Sequence, residues 1–324
     1  MWGAMFRKYG VGVSAALAAM TFVSGPSAPA DTSWLLPDMR QAPVGCPGGF
    51  RGDPVECTDW DVCPVADASA SGGPCVTSGT IAAVRLRFTS SEDNVGDGPL
   101  LFHAHRESTE QPRMTVRQAF QSSADNSVPA TFDAAQRATA TYTYYEPAAS
   151  HEHWHLMGFE RYQLRTPAGE TLLVDRKNGF CLGDRFNTRD WADLSGRPYK
   201  GGAVALSQQL RGNMCGHHRT DALDVTMGVS VGKGDDYRHT VDFQWLDLTT
   251  VPSGVYDVVN TVNADRTLLE KDYTNNSSSI SVSVQWPDGA RQAPAVITAP
   301  PVVRLLDSCP GRAVCTAEEE GHRR

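Results

Sequence analysis

The chain has 324 residues, 40% of them hydrophobic and 20% charged, with a formal net charge of −8 at pH 7. That is enough apolar material for one substantial domain with appendages, and it excludes disorder along the whole length. The acidic balance excludes nucleic acid as a partner; it would draw cationic ligands, although solubility is the ordinary meaning of such a charge.

Residues 1–30 read as a signal peptide, with Arg7 and Lys8 as the charged start, 11–23 as the apolar run and Ala28-Pro29-Ala30 as a small-residue cleavage site. The apolar run falls well short of the ~20 residues that cross a bilayer. The mature protein is therefore expected to be secreted, with no membrane span. All eight cysteines lie beyond the cleavage point, and an even number in an exported chain favours disulfides. They group as Cys46, Cys57, Cys63 and Cys75 near the N-terminus, with open connectivity, a central pair Cys181 with Cys215, and a small loop closed by Cys309 and Cys315.

Residues 31–79 are rich in Pro, Gly, Asp and Cys without periodicity and read as an irregular segment pinned by disulfides. From Thr80 the pattern changes. Val84, Leu86 and Phe88 alternate with Ala83, Arg85 and Arg87, as a half-buried strand requires. Further alternating runs at 114–120, 140–145, 241–245, 255–262 and 280–286 are separated by turn residues, and no long amphipathic helix is evident. The expected fold class is mainly β: an antiparallel β-sandwich core at 80–288 with long irregular loops, stabilised by disulfides. Residues 289–324 form a peripheral Pro-rich and charged tail containing the small disulfide loop.

The strongest local signal is His151-Glu152-His153-Trp154-His155. In a strand, residues i, i+2 and i+4 share a face, but the outer Cα atoms would lie roughly 13 Å apart. Metal–imidazole bonds are about 2 Å long, so one ion gathers all three rings only if the segment bends. Imidazole suits Cu, Zn, Fe and Ni, and donor type alone does not choose among them. A zinc hydrolase site and a surface histidine cluster stay open on the triplet alone. His103 with His105, and His217 with His218, read as structural or solvent-exposed; the latter pair would face opposite sides of any strand. His239 follows Tyr237 closely enough to lie near it.

Residues 151–164, His-Glu-His-Trp-His-Leu-Met-Gly-Phe-Glu-Arg-Tyr-Gln-Leu, resemble the copper-binding segment of the lysyl oxidase family (copper-dependent protein-lysine 6-oxidase). Four later blocks follow in the family's order: Asp175-Arg176-Lys177-Asn178-Gly179-Phe180-Cys181-Leu182, then 228–237 ending in Asp235-Asp236-Tyr237, then Asp242-Phe243-Gln244-Trp245-Leu246-Asp247-Leu248, then Asp272-Tyr273-Thr274-Asn275-Asn276. The likeness is strong over about 141–286. Before it, 94–100 resemble bacterial adhesion-type sandwich modules.

Carried over residue by residue, the resemblance implies that His151, His153 and His155 bind Cu2+ and that Lys177 and Tyr237 are the precursors of lysine tyrosylquinone. It implies a copper amine oxidase that converts a primary amine, or a lysine-containing protein substrate, to an aldehyde with O2, releasing hydrogen peroxide and ammonia. Asp235 and Asp242 are candidates for the general base. The short signal suggests a bacterial source. A non-enzymatic exported copper- or zinc-binding adhesion module is the alternative, beside the zinc-dependent hydrolase.

The chain departs from animal members of the family. Tyr145 to Ser150 replace a cysteine-bearing stretch before the histidines, and Lys233 stands where another cysteine is expected, so the disulfide pattern must differ. An insertion around 185–214, bearing Trp191 and Tyr199, either shapes a substrate entrance or decorates the surface. Asn275-Asn276-Ser277-Ser278 carries overlapping glycosylation sequons.

Overall fold

The computed structural model describes residues 34–50, 57–175, 179–194 and 202–316. Their architecture is antiparallel β, with four disulfides. Two five-stranded sheets dominate. One runs in the order His153–Leu156, Arg137–Glu146, Arg113–Ala119, Leu100–His105, Asp224–Val229; the other runs Thr171–Val174, Glu160–Arg165, Gly254–Val262, Ser277–Gln285, Val302–Cys309. Smaller sheets join Phe186–Asn187, Lys233–Tyr237, Ser90–Asn94 and Met39–Gln41, and Trp245–Asp247, Ala83–Phe88 and Trp60–Val65.

The inward positions of these sheets form one continuous core, including Val84, Leu86, Phe88, Phe102, Val116, Trp154, Tyr162, Val258, Ile280, Val282 and Trp286. Burying a large apolar side chain of this kind stabilises the fold by about 1.5–3 kcal/mol. The alternating runs at 114–120, 140–145, 255–262 and 280–286 lie in strands, within three residues of the expected bounds.

Four features differ from the sequence reading. Ala83–Phe88 is buried on both faces, not one. Arg85 and Arg87 are accommodated because each finds partners. The Arg85 guanidinium lies 4.1 Å from the Trp245 ring and donates to the carbonyls of Gly72 and Ala70, and Arg87 forms a two-pronged ion pair with Asp61. Residues 241–244 form a turn with Phe243 at φ 63°, so the strand begins only at Trp245.

The N-terminal segment supplies the short strands Trp34–Leu35, Met39–Gln41 and Trp60–Val65; the first two are too brief to show alternation, and the third contains Pro64 and ends in three consecutive buried residues. The tail is likewise integrated: Val302–Cys309 pairs with Ser277–Gln285 as a sheet-edge strand.

Cys46 pairs with Cys57 and Cys63 with Cys75, resolving the open set, and the pairs Cys181–Cys215 and Cys309–Cys315 are as expected. The sequon asparagines turn inward: Asn276 is buried, with Nδ2 donating to the Val262 carbonyl and to Glu270, and Asn275 Nδ2 donates to Asp38. Among the described residues, no helix is long and apolar enough to cross a membrane.

Candidate metal and cofactor site

The three histidines sit at the edge of the first five-stranded sheet. His153–Leu156 is a regular strand, but Glu152 adopts φ 48°, a left-handed conformation that turns the chain just before it. That single residue supplies the bend the triplet needs. It brings His151 back over the strand, so that its ring centroid lies 5.4 Å from that of His153 and 4.6 Å from that of His155.

All three rings are buried, and one nitrogen from each lies within 4.8 Å of the others. His153 Nε2 and His155 Nε2 are 2.9 Å apart, which requires at least one of them to be unprotonated. Around a metal bonded at about 2.0–2.1 Å, tetrahedral nitrogen donors lie about 3.3 Å apart. The donor set therefore fits a copper or zinc ion with shifts of side-chain size.

Neighbouring groups hold the rings. His151 Nε2 donates to the Asp242 carbonyl at 3.1 Å, and the Asp242 carboxylate accepts from both the backbone N–H and the hydroxyl of Ser150 and from the Ser71 hydroxyl. Burial would push that carboxyl up, but these hydrogen bonds outweigh it and leave its pKa below the usual value. Tyr144 meets His155 edge-on at 5.9 Å. Tyr144 also lines a cleft of about 590 Å3 with Tyr142, Tyr145, Trp154, Arg106 and Arg113.

Lys177 lies outside the described residues. The chain re-emerges at Gly179, whose φ of 84° lets it pass against the histidine strand; a Cβ there would meet the Leu156 carbonyl at 2.7 Å and His155 Cβ at 2.9 Å. Phe180 then bridges to Leu156, and its ring meets Tyr237 edge-on at 5.0 Å. The Tyr237 hydroxyl donates to the Cys181 carbonyl at 2.7 Å and accepts from the Cys181 N–H. The segment 179–181 thus runs from the histidine strand to the phenol, and the Cys181–Cys215 disulfide anchors it.

Tyr237 is buried on the strand Lys233–Tyr237, which pairs with Ser90–Asn94. Burial and the nearby Asp235 raise its pKa well above the ordinary phenol value, opposed by the Cys181 N–H. Asp235 is itself buried and pushed up to about 7, although Arg185 at 3.4 Å and the Gly183 N–H act in the other direction.

His103 and His105 serve structure. His103 bonds Thr226 and the Pro129 carbonyl, and His105 bonds Asp224. His239 faces Asp59 at 3.2 Å. The described part of the 185–214 insertion carries two helices, Trp191–Leu194 and Gly202–Leu210; the second packs Leu206 and Leu210 on Leu101, Ala119 and Ala135. Tyr199 lies outside the described residues. The sequence reading missed Gly179 and the Cys181 backbone, for which the Gly-Phe-Cys run after Lys177 was the available signal.

Residues 207–288 match the Lysyl oxidase family model. The matched stretch includes Tyr237, Gln244-Trp245 and the 272–276 turn, and it begins after the histidines and Lys177. Human lysyl oxidase homolog 3 is 32% identical over 128 residues, 39% of this chain and 14% of that protein. Chicken lysyl oxidase homolog 2 is 32% identical over 127 residues, covering 39% and 13%, and human lysyl oxidase homolog 1 is 31% identical over 128 residues, covering 39% and 18%. The similarity thus spans under a fifth of each of these relatives. All three are animal proteins and lend no support to a bacterial source.

Proposed function

We propose that this chain is an exported copper amine oxidase of the lysyl oxidase type, with His151, His153 and His155 as copper ligands and Lys177 and Tyr237 as precursors of lysine tyrosylquinone. The observation that carries this reading is the continuous path from the histidine strand through Gly179, Phe180 and Cys181 to Tyr237. Lys177 is two residues from Gly179, a link that spans at most about 7 Å. When bound, copper and the quinone supply the two-electron oxidation of a primary amine to an aldehyde, with O2 as acceptor and hydrogen peroxide and ammonia as products.

The chain's own residues have definable tasks. The Glu152 bend gathers the imidazoles, and the Asp242 carbonyl orients His151, an outer contact of the kind that fixes a metal ligand's tautomer. The Cys181 backbone clamps the phenol oxygen of Tyr237 and fixes the ring plane. Asp235, two residues from Tyr237 on the same strand face, titrates near neutrality and can take or return a proton there. Disulfides throughout the described chain fit an oxidising compartment, as export through the signal at 1–30 requires.

The test is peroxide release by copper-loaded protein across small amines and lysine-bearing proteins, with Lys177→Ala and Tyr237→Phe as controls, alongside a quinone-specific redox stain. Activity and stain are expected in the parent and lost in both variants. Equal activity in the variants overturns the mechanism and leaves the metal-binding sandwich.

A further inference from the structure

We propose that Glu152, His217 and His218 form a second metal site, for a divalent transition-metal ion of the Cu(II)/Zn(II) class, on the solvent side of the histidine trio. The site goes beyond the proposed activity and does not depend on it. One donor atom from each of the three residues lies within 4.8 Å of the other two. Adjacent residues on a strand would point apart, but 214–219 is not a strand. Cys215, Gly216 and His218 adopt φ of 46°, 69° and 58°, and the resulting turn sets the rings of His217 and His218 side by side, with centroids 3.7 Å apart.

The turn is fixed to the residue that completes the cluster. The His218 N–H donates to the Glu152 carbonyl at 2.8 Å, and the Trp154 N–H donates to the Cys215 carbonyl at 3.0 Å. Tyr145 donates its hydroxyl to the same Glu152 carbonyl, and the disulfide from Cys215 to Cys181 ties the turn to the protein interior. The donors are therefore presented by a braced backbone rather than by a loose loop, which lowers the ordering cost of binding an ion.

Two imidazoles and a carboxylate form a donor set suited to zinc or copper, with bonds of about 2.0–2.2 Å. The Glu152 carboxylate is already 3.5 Å from His218 Nδ1, and both side chains are solvent-accessible enough to rotate onto an ion. Arg219, the next residue along the chain, is paired with Asp221 at 2.8 Å.

The trio is buried, whereas the outer cluster is open, and the His217 ring is 6.3 Å from that of His153. Glu152 sits in sequence between His151 and His153.

The experiment is metal stoichiometry by elemental analysis on chelator-stripped protein refilled with Zn(II) and, separately, with Cu(II), then desalted. The parent is expected to retain two ions per chain, the double variant His217→Ala/His218→Ala one, and His151→Ala/His155→Ala one. Glu152→Gln, which keeps the size of the side chain, is expected to lose the outer ion while circular dichroism stays that of the parent. An outer double variant that retains the parent stoichiometry, or a trio variant that holds no metal, overturns the outer site. A parent that holds one ion, kept in the trio variant and lost in the outer variant, supports the outer site while removing metal from the trio.

Discussion

Leu156 and Phe180 exchange backbone hydrogen bonds of 2.8 and 3.0 Å, and this two-residue bridge fixes the segment after Lys177 against the strand that carries His155. The bridge forms because Gly179 brings the chain in at φ 84° with no side chain to hold it off. A second tie runs from the Trp154 N–H to the Cys215 carbonyl and through the Cys181–Cys215 disulfide to the same clamp.

Gly179→Ala is accordingly expected to destabilise the protein and to loosen the metal site together. A non-glycine residue in the left-handed region costs of order 1–3 kcal/mol, and the added Cβ would press on the Leu156 carbonyl and His155 Cβ. Urea unfolding should show a lower midpoint at unchanged slope, and Zn(II) affinity of the trio should fall. An unchanged midpoint would mean that this contact does not set the strand's position.

Much of this arrangement was legible in the residues, and what was not has identifiable causes. Val84, Leu86 and Phe88 announced their strand by alternation, but the sequence could not say that Trp245 and the 68–72 carbonyls would cover Arg85 on the opposite face, because that depends on contacts far along the chain. The helix Gly202–Leu210 spaces Ala203, Leu206 and Leu210 at helical intervals, a signal present but only two turns long. The His triplet implied a bend, yet its location depends on Glu152, a residue type with no preference for φ above zero.

The pH dependence of stability should carry the signature of Asp235. Its pKa rises from 3.8 to about 7 on folding. A carboxyl raised in this way contributes stability that is fully present below its unfolded pKa and is lost as pH rises through its folded value. Comparing the parent with Asp235→Asn by urea unfolding from pH 5 to pH 8, the parent should lose stability relative to the variant as pH increases, with most of the change complete just above pH 7. A difference that does not vary with pH would mean that Asp235 is ionised throughout.

The Cys181–Cys215 disulfide closes a loop with a sequence separation of 34 and anchors both the Tyr237 clamp and the 215–218 turn. Replacing both cysteines with serine is expected to cost about 2–4 kcal/mol. The more specific consequence is local. Amide hydrogen exchange should quicken at Trp154 and His218, whose N–H groups are bonded across this turn, before it quickens in the Gly254–Val262 and Ser277–Gln285 strands. Uniform loss of protection would show that the bond stabilises the whole chain without holding this region in particular.

Arg85 offers the sharpest test of how the N-terminal segment is held. Its side chain is 1% exposed, yet it makes no ion pair among the described residues; its guanidinium bonds the carbonyls of Ala68, Ala70 and Gly72 while stacking near Trp245. Those carbonyls lie within the loop that the Cys63–Cys75 disulfide closes. Arg85→Met keeps the apolar stem but leaves the loop carbonyls without their donors, at a cost of about 1–3 kcal/mol for each group that stays buried. Arg85→Lys retains charge but lacks the planar fork that reaches several carbonyls at once, so it should restore only part of the loss. Limited proteolysis should cut the Arg85→Met variant within 66–74 and leave the parent intact at the same protease concentration. If the two are equally resistant, the disulfide alone holds the loop and the arginine is dispensable there.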